Sequence, residues 1–244
     1  MNLWYKNWFD SEYYLKVYEH RDHEDAQKLG ELILKNININ SSASVLDAAC
    51  GAGRYAKFFA EKGFNVVGFD LSNSLLKIAA EESKGKKYKL NLIRADKRQI
   101  FFKTKFDLVV NLFTSFGYFE TDEENFAFCK NIYQSLSDDG FYILDYFNKD
   151  FLEMHLVQHS KKKYEDFILI EERKIYNDKV EKRITIHHNE KENNYYESVK
   201  LYSFEFISKY FQKIGYKLIK MLGDYNGGKF SKKESPRLIL FFQK

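Results

Sequence analysis

The chain has 244 residues, 44% of them hydrophobic and 18% aromatic, with 39 basic and 35 acidic side chains giving a net charge of +4. That length suits one α/β domain with an insertion or small lid, and the apolar content is enough for a full core. A charge so near balance gives no basic stripe, so nucleic acid is not the expected partner. Cys50 and Cys129 have neither metal nor redox spacing, and no apolar run approaches the length of a membrane span. The start, Met-Asn-Leu-Trp-Tyr-Lys, lacks a basic segment followed by an apolar core. The expectation is a cytoplasmic protein without a membrane segment.

Residues 4–22 carry Trp4, Tyr5, Trp8, Phe9, Tyr13, Tyr14 and Tyr18, too aromatic for a free tail, and are expected to pack over a cleft as a lid. Residues 23–36 place Ala26, Leu29, Leu32 and Ile33 on one face of a helix. A strand at 44–48 reaches Asp47, and a small-residue turn follows with Gly51 and Gly53. A helix at 53–62, a strand at 65–69 ending at Asp70, and a helix at 73–83 capped by Ser72 come next. Residues 88–95 read as a third strand ending at Asp96, and the nearly continuous apolar run 106–113 as a fourth, buried on both faces. A helix is expected from Asp122 to about Leu136, a turn at Asp138-Asp139-Gly140, and a fifth strand at 141–145.

The pattern then changes. Residues 167–171, 174–176, 180–186 and 195–202 read as antiparallel strands, with a hairpin at Asn177-Asp178 and a polar loop at 187–194. Val180, Ile184 and Ile186 share one face of this insertion, and Glu181, Arg183 and Thr185 the other. Lys161-Lys162-Lys163 reads as a solvated loop. Ser203 caps a helix to about Lys213, Gly215 ends it, and strands at 216–222 and 237–243 finish the chain. The expected division is 1–150 for the lid and cofactor half, 151–202 for the insertion, and 203–244 for the closing helix and strands.

Strand, glycine turn, helix, strand and terminal acid make half of a nucleotide-binding βαβ unit. Gly51-Ala52-Gly53-Arg54-Tyr55-Ala56 also satisfies a dinucleotide fingerprint. Asp47, at the carboxyl end of its strand, would repel a pyrophosphate and suits a ligand with an ammonium or sulfonium. The run Val45-Leu46-Asp47-Ala48-Ala49-Cys50-Gly51-Ala52-Gly53 resembles motif I of the class I S-adenosylmethionine-dependent methyltransferases.

That resemblance implies a Rossmann-like seven-stranded sheet in the order 3-2-1-4-5-7-6, with helices on both faces and an antiparallel insertion after strand five. It implies S-adenosylmethionine as cofactor. Asp70 would then accept from the ribose hydroxyls and Asp96 from the adenine amino group. Lys97 would lie beside the ring, and Leu71 would pack on the adenine or ribose. Ala49 and Gly51 would face the amino-acid part with Asp47 behind them. Arg21 would pair with the cofactor carboxylate from the lid, and Tyr18 and Leu112 would complete the contacts. The segment Phe113-Thr114-Ser115-Phe116-Gly117-Tyr118 is similar to the same position in small-molecule methyltransferases of the glycine N-methyltransferase-like and amino-sugar N,N-dimethyltransferase-like groups.

The expected reaction is in-line methyl transfer to nitrogen or oxygen of a small-molecule acceptor. Tyr118 is the candidate for orienting or deprotonating it, and Tyr14, Tyr18, Phe116 and Tyr118 with the insertion are expected to enclose it. No carboxylate and histidine set has metal spacing, so no metal is expected. Two other readings stay open: an NAD(P)-dependent oxidoreductase, and a non-catalytic subunit that binds S-adenosylmethionine for a partner.

Overall fold

The computed structural model describes residues 4–18 and 23–244. The lid segment forms two short helices, α1 (Trp4–Phe9) and α2 (Glu12–Val17). The first half then alternates α3 (His23–Asn36), β1 (Ser44–Ala48), α4 (Arg54–Glu61), β2 (Asn65–Asp70), α5 (Asn73–Ser83), β3 (Leu90–Arg94), β4 (Phe106–Asn111), α6 (Asp122–Tyr133) and β5 (Leu136–Phe147). After α7 (Lys149–His155) come four antiparallel strands, β6 (His159–Lys163), β7 (Ile168–Tyr176), β8 (Lys179–His188) and β9 (Lys191–Lys200). The chain closes with α8 (Phe204–Ile214), β10 (Lys217–Leu222) and β11 (Arg237–Gln243).

The central sheet has the order β10-β11-β5-β4-β1-β2-β3, which is the expected 3-2-1-4-5-7-6 with the insertion strands left out of the count. The first five strands are parallel, and β11 and β10 are antiparallel to their neighbours. Successive residues of β1 go to opposite sides. Val45 joins Phe59, Leu108 and Ile143 in one apolar cluster, and Leu46 joins Phe69, Val109 and Phe126 in another. Each cluster packs helices against its own face of the sheet, which is why the strands read as continuous apolar runs. Among the described residues, no helix is long and apolar enough to cross a membrane.

Three expectations are corrected. The anticipated turn at 138–140 lies inside β5, which starts at Leu136; it survives as an irregularity, with Asp139 at φ 64° and the β4–β5 register slipping between Phe106 and Leu108. The anticipated loop at 187–194 is a hairpin. β8 runs to His188, Asn189 and Glu190 turn with φ of 49° and 62°, and β9 begins at Lys191. Two left-handed residues make a turn that matches strand twist, so no longer loop is needed. Lys161, Lys162 and Lys163 are not a loop but part of the edge strand β6, paired with Ile170, Leu169 and Ile168. Charged residues on an edge strand oppose further pairing, so their composition alone mimics a loop. The turn at Asn177-Asp178 is as expected, with φ of 48° and 55°.

Candidate active site

The carboxyl ends of β1, β2 and β4 meet beneath the lid, at the place where open parallel sheets bind ligands. After β1 the chain turns sharply: Ala49, Gly51 and Gly53 have φ of 57°, 54° and 77°. A Cβ on Gly53 would stand 3.0 Å from the Cβ of Ala79 on α5, so the turn needs glycine there for close packing as well as for its φ. Asp70 fixes this turn. Its Oδ2 accepts from the amide of Gly51 at 2.9 Å, and its Oδ1 from the amide of Ser72 at 2.8 Å. The Leu71 amide also lies against this carboxylate, which has about four acceptor positions, so acceptor capacity remains for a ligand hydroxyl.

A cavity of about 340 Å³ opens above the turn, lined by Tyr18, Asp47, Ala49, Gly51, Asp70, Leu112 and Tyr118 among others. A smaller cleft of about 60 Å³ continues along it past Leu71, Ala95, Asp96 and Lys97, between Phe69, Tyr5 and Phe119. The structure therefore brings together every proposed cofactor residue except Arg21, which lies outside the described residues. The Asp96 carboxylate is held by Arg98, whose Nη2 approaches Oδ2 at 2.7 Å. The Lys97 side chain turns inward and donates to the carbonyl of Ser115. Burial pushes its amine down to about 8, partly offset by Cys129, Asp96 and Asp70.

Two polar atoms in the larger cavity are buried without a hydrogen-bond partner among the described residues: Asp47 Oδ2 and the Tyr55 hydroxyl. Burial drives the Asp47 carboxyl up to about 7; the amide of Ala56 opposes the shift and Asp70 adds to it. An unpaired buried acceptor costs free energy until something donates to it. Sequence reasoning missed Tyr55, because a tyrosine in a helix reads as core. It also missed Phe9, which lines the cofactor cavity, its cleft and the neighbouring cavity described next.

That second cavity, of about 300 Å³, shares Phe9, Tyr14, Tyr18, Phe113 and Tyr118 with the first. Its far lining comes from the insertion (Arg173, Val180, Lys182, Glu197, Val199), from α7 and from Arg237. Phe116 is corrected here: it is fully buried against Phe126, Tyr146 and Tyr202 and does not line this cavity. Burial, reinforced by Tyr14, Glu197, Tyr18 and Asp70, raises the Tyr118 phenol well above its usual range. It remains a hydrogen-bond donor at neutral pH.

The lid is tied to both halves of the site. Asp10 accepts from the hydroxyls of Ser72 and Ser74 at 2.6 and 2.5 Å, beside the Asp70 turn. Glu197 accepts from the indole of Trp8 at 2.6 Å and from the Tyr18 hydroxyl at 2.8 Å, and pairs with Lys182 at 2.8 Å. Glu197→Ala should remove one of the two carboxylates that pair with Lys182, Glu171 remaining at 3.4 Å, together with the acceptor of the Trp8 and Tyr18 hydrogen bonds, and lower stability by about 2 kcal/mol. Urea unfolding would measure that loss, and limited proteolysis should show faster cutting within residues 4–18. Unchanged stability and cutting would mean that ring packing alone holds the lid.

Residues 45–140 match a family model described as a methyltransferase domain. Within and around it, the chain is 31% identical over 132 residues to the glycine/sarcosine N-methyltransferase of Aphanothece halophytica, covering 53% of this chain and 50% of that protein. The chain spans about half the length of the curated relatives it matches. An S-adenosylmethionine-dependent methyltransferase from Clostridium acetobutylicum superposes with a TM-score of 0.82 at 19% identity over 95% of both chains. The S-adenosylmethionine-bound CalS10, an amino pentose methyltransferase from Micromonospora echinaspora, superposes at 0.73 with 19% identity, over 96% of this chain and 97% of that one. At such identities the shared feature is the fold. The chain shares its fold with those two methyltransferases, and the residues 45–140 that match the family model hold the glycine turn, Asp47, Asp70 and Asp96 of the candidate site.

Proposed function

We propose that the protein transfers a methyl group from S-adenosylmethionine to a nitrogen atom of a small-molecule acceptor. The observation that carries this reading is the pair of cavities that share one wall of aromatic rings at the carboxyl edge of the sheet. The residues of the first fit the cofactor. Asp47 Oδ2 is an unpaired acceptor suited to an ammonium, the Tyr55 hydroxyl an unpaired donor suited to a carboxylate, and Asp70 keeps acceptor capacity for the ribose beyond its backbone amides. Bound there, the cofactor supplies a methyl carbon made electrophilic by its sulfonium.

The chain's own contribution is placement and exclusion of water. Holding two reactants in line is worth roughly 7–11 kcal/mol of barrier, and the ring wall with the tied-down lid provides both the alignment and the dry surroundings. A neutral amine needs no further activation, whereas a hydroxyl needs a base or a metal. Tyr118, whose phenol burial raises well above its usual range, orients the acceptor as a donor and does not serve as a phenolate base. The names of the related proteins, a glycine/sarcosine N-methyltransferase and an amino pentose methyltransferase, favour nitrogen. Against the dinucleotide reading stands Asp47, whose unpaired carboxylate would meet the pyrophosphate.

Calorimetry tests the cofactor: S-adenosylhomocysteine should bind and NAD(H) should not, and heat with NAD(H) alone would reverse the reading. Release of S-adenosylhomocysteine from a panel of small primary and secondary amines, each matched with its hydroxyl analogue, tests the acceptor atom. Tyr118→Phe should lower kcat on the acceptor so found by about tenfold, the equivalent of one neutral hydrogen bond, with S-adenosylhomocysteine affinity unchanged. An intact kcat would leave the hydroxyl without a catalytic part.

A further inference from the structure

The charges around the second cavity are unevenly arranged. Three cations line it, Arg173, Lys182 and Arg237, against one carboxylate, Glu197. The acids that balance two of the cations, Glu171 and Asp145, are not part of the lining, and Asp145 is fully buried. Lys182 has its donors engaged by Glu197, Tyr18 and Glu171. Glu197 is engaged in turn by Trp8, Tyr18 and Lys182.

The two guanidinium groups differ from these. Arg237, the first residue of β11, gives its Nε to Asp145 at 2.8 Å and its Nη2 to Asp145 and to Thr114 Oγ1 at 2.7 and 3.0 Å. Its Nη1, with two N–H groups, donates to no described residue. Arg173, on β7, gives Nη2 to Glu171 at 2.5 Å and Nη1 to Ser160 Oγ and the Val157 carbonyl at 3.1 and 3.3 Å. Its Nε donates to no described residue. One arginine therefore comes from the main sheet and one from the insertion, each braced from behind by an acid, and both line a cavity whose other walls include Trp4, Phe147, Leu152, Leu156 and Val199. Braced guanidinium groups with spare donors, set in apolar surroundings, are suited to an oxyanion.

Resting on the methyltransferase reading above, we propose that the acceptor carries an oxyanion, a carboxylate or a phosphate, and that Arg237 and Arg173 bind it within the second cavity. The nucleophile of such an acceptor is then held at a fixed reach from the anchored group. Neutral acceptors of equal size are rejected because they leave the arginine donors unpaired.

The test uses the full chain saturated with S-adenosylhomocysteine and titrated calorimetrically with acetate and, separately, with inorganic phosphate. At least one should bind saturably. Arg237→Gln and Arg173→Gln should each weaken that binding tenfold or more, while Lys163→Gln, on the edge strand, should not. Binding of acetate alone assigns a carboxylate, binding of phosphate alone a phosphate, and binding of both supports the oxyanion class common to them. Absence of binding by either anion overturns the proposal. Binding that survives both arginine substitutions also overturns it, and leaves the arginines as structural ion pairs. Should Arg237→Gln fail to fold, Arg173→Gln carries the test, since that side chain sits on the insertion away from the buried Asp145. S-adenosylhomocysteine affinity, measured first in every variant, separates this outcome from failure of the methyltransferase reading: no affinity in the parent protein would sink the latter.

Discussion

Asp70→Ala is expected to abolish most cofactor affinity, lowering it by two orders of magnitude or more for S-adenosylhomocysteine in calorimetry. The carboxylate does two jobs. It lines the cavity with acceptor capacity left over, and hydrogen bonds to a charged group are worth about 1.5–3 kcal/mol each. It also ties the amide of Gly51 to that of Ser72, so its loss frees the glycine turn that forms the cavity floor. Asp70→Asn should weaken both contributions without removing either. Its remaining side-chain oxygen can serve only one of the two amides, and its NH2 group would face the other, so the turn should loosen while the helix cap by Ser72 on Leu75 persists. Far-ultraviolet circular dichroism and thermal unfolding would confirm that the fold survives. Affinity within a factor of three of the parent would show that neither the free acceptors of Asp70 nor its hold on the turn matters to the cofactor.

Asp47 should make cofactor affinity depend on pH. Its carboxyl is pushed up to about 7 chiefly by burial, so the free protein holds a proton there in mildly acidic solution. Pairing with a ligand ammonium requires the carboxylate, so binding must release that proton. Between pH 5 and 7 affinity should fall roughly tenfold per unit of decreasing pH, the slope of one linked proton, and level off above pH 7. Asp47→Asn should remove the slope and weaken binding at pH 8. The same shift has a stability consequence of opposite sense. The unfolded carboxyl titrates near 3.9, so the ligand-free fold loses stability as pH rises from about 4 to about 7, and ligand binding offsets part of that loss. The rise in Tm caused by S-adenosylhomocysteine should accordingly be larger at pH 8 than at pH 6. A flat affinity profile in the parent protein would place the ligand ammonium elsewhere.

The sheet, and the meeting of the glycine turn with the strand-end acids, were legible in the sequence. Strand-end acids and a glycine turn are local features, and the chain can satisfy them in few ways. The amide of Gly51 reaches Asp70 because β1 and β2 pair in register, Asp47 opposite Gly68, and that pairing follows from two short apolar runs joined by one helix. The fold order followed for the same reason, since continuous apolar strands separated by amphipathic helices admit a parallel sheet covered on both faces. Edge strands and tight hairpins were not legible. The lysines of β6 and the polar end of the β8–β9 hairpin project past the core, where side chains face solvent and composition does not distinguish strand from loop.

Which side chains meet between the two sheets was not legible in the sequence. Arg173 and Arg237 are 64 residues apart, and Trp8 and Glu197 are 189 apart. Nothing in the spacing of either pair marks it, because their juxtaposition depends on how the insertion folds back over the cleft. Phe116 and Tyr118 look alike in sequence, two residues apart in one aromatic segment, yet one is core and the other lines three connected spaces. The turn between β4 and α6 sets that difference. Phe113 and Thr114 take left-handed conformations with φ of 57° and 58°, held by Asp145 through the Phe113 amide and by Arg237 through Thr114. A strained turn of non-glycine residues persists only where distant partners over-determine it, and such partners are a property of the fold.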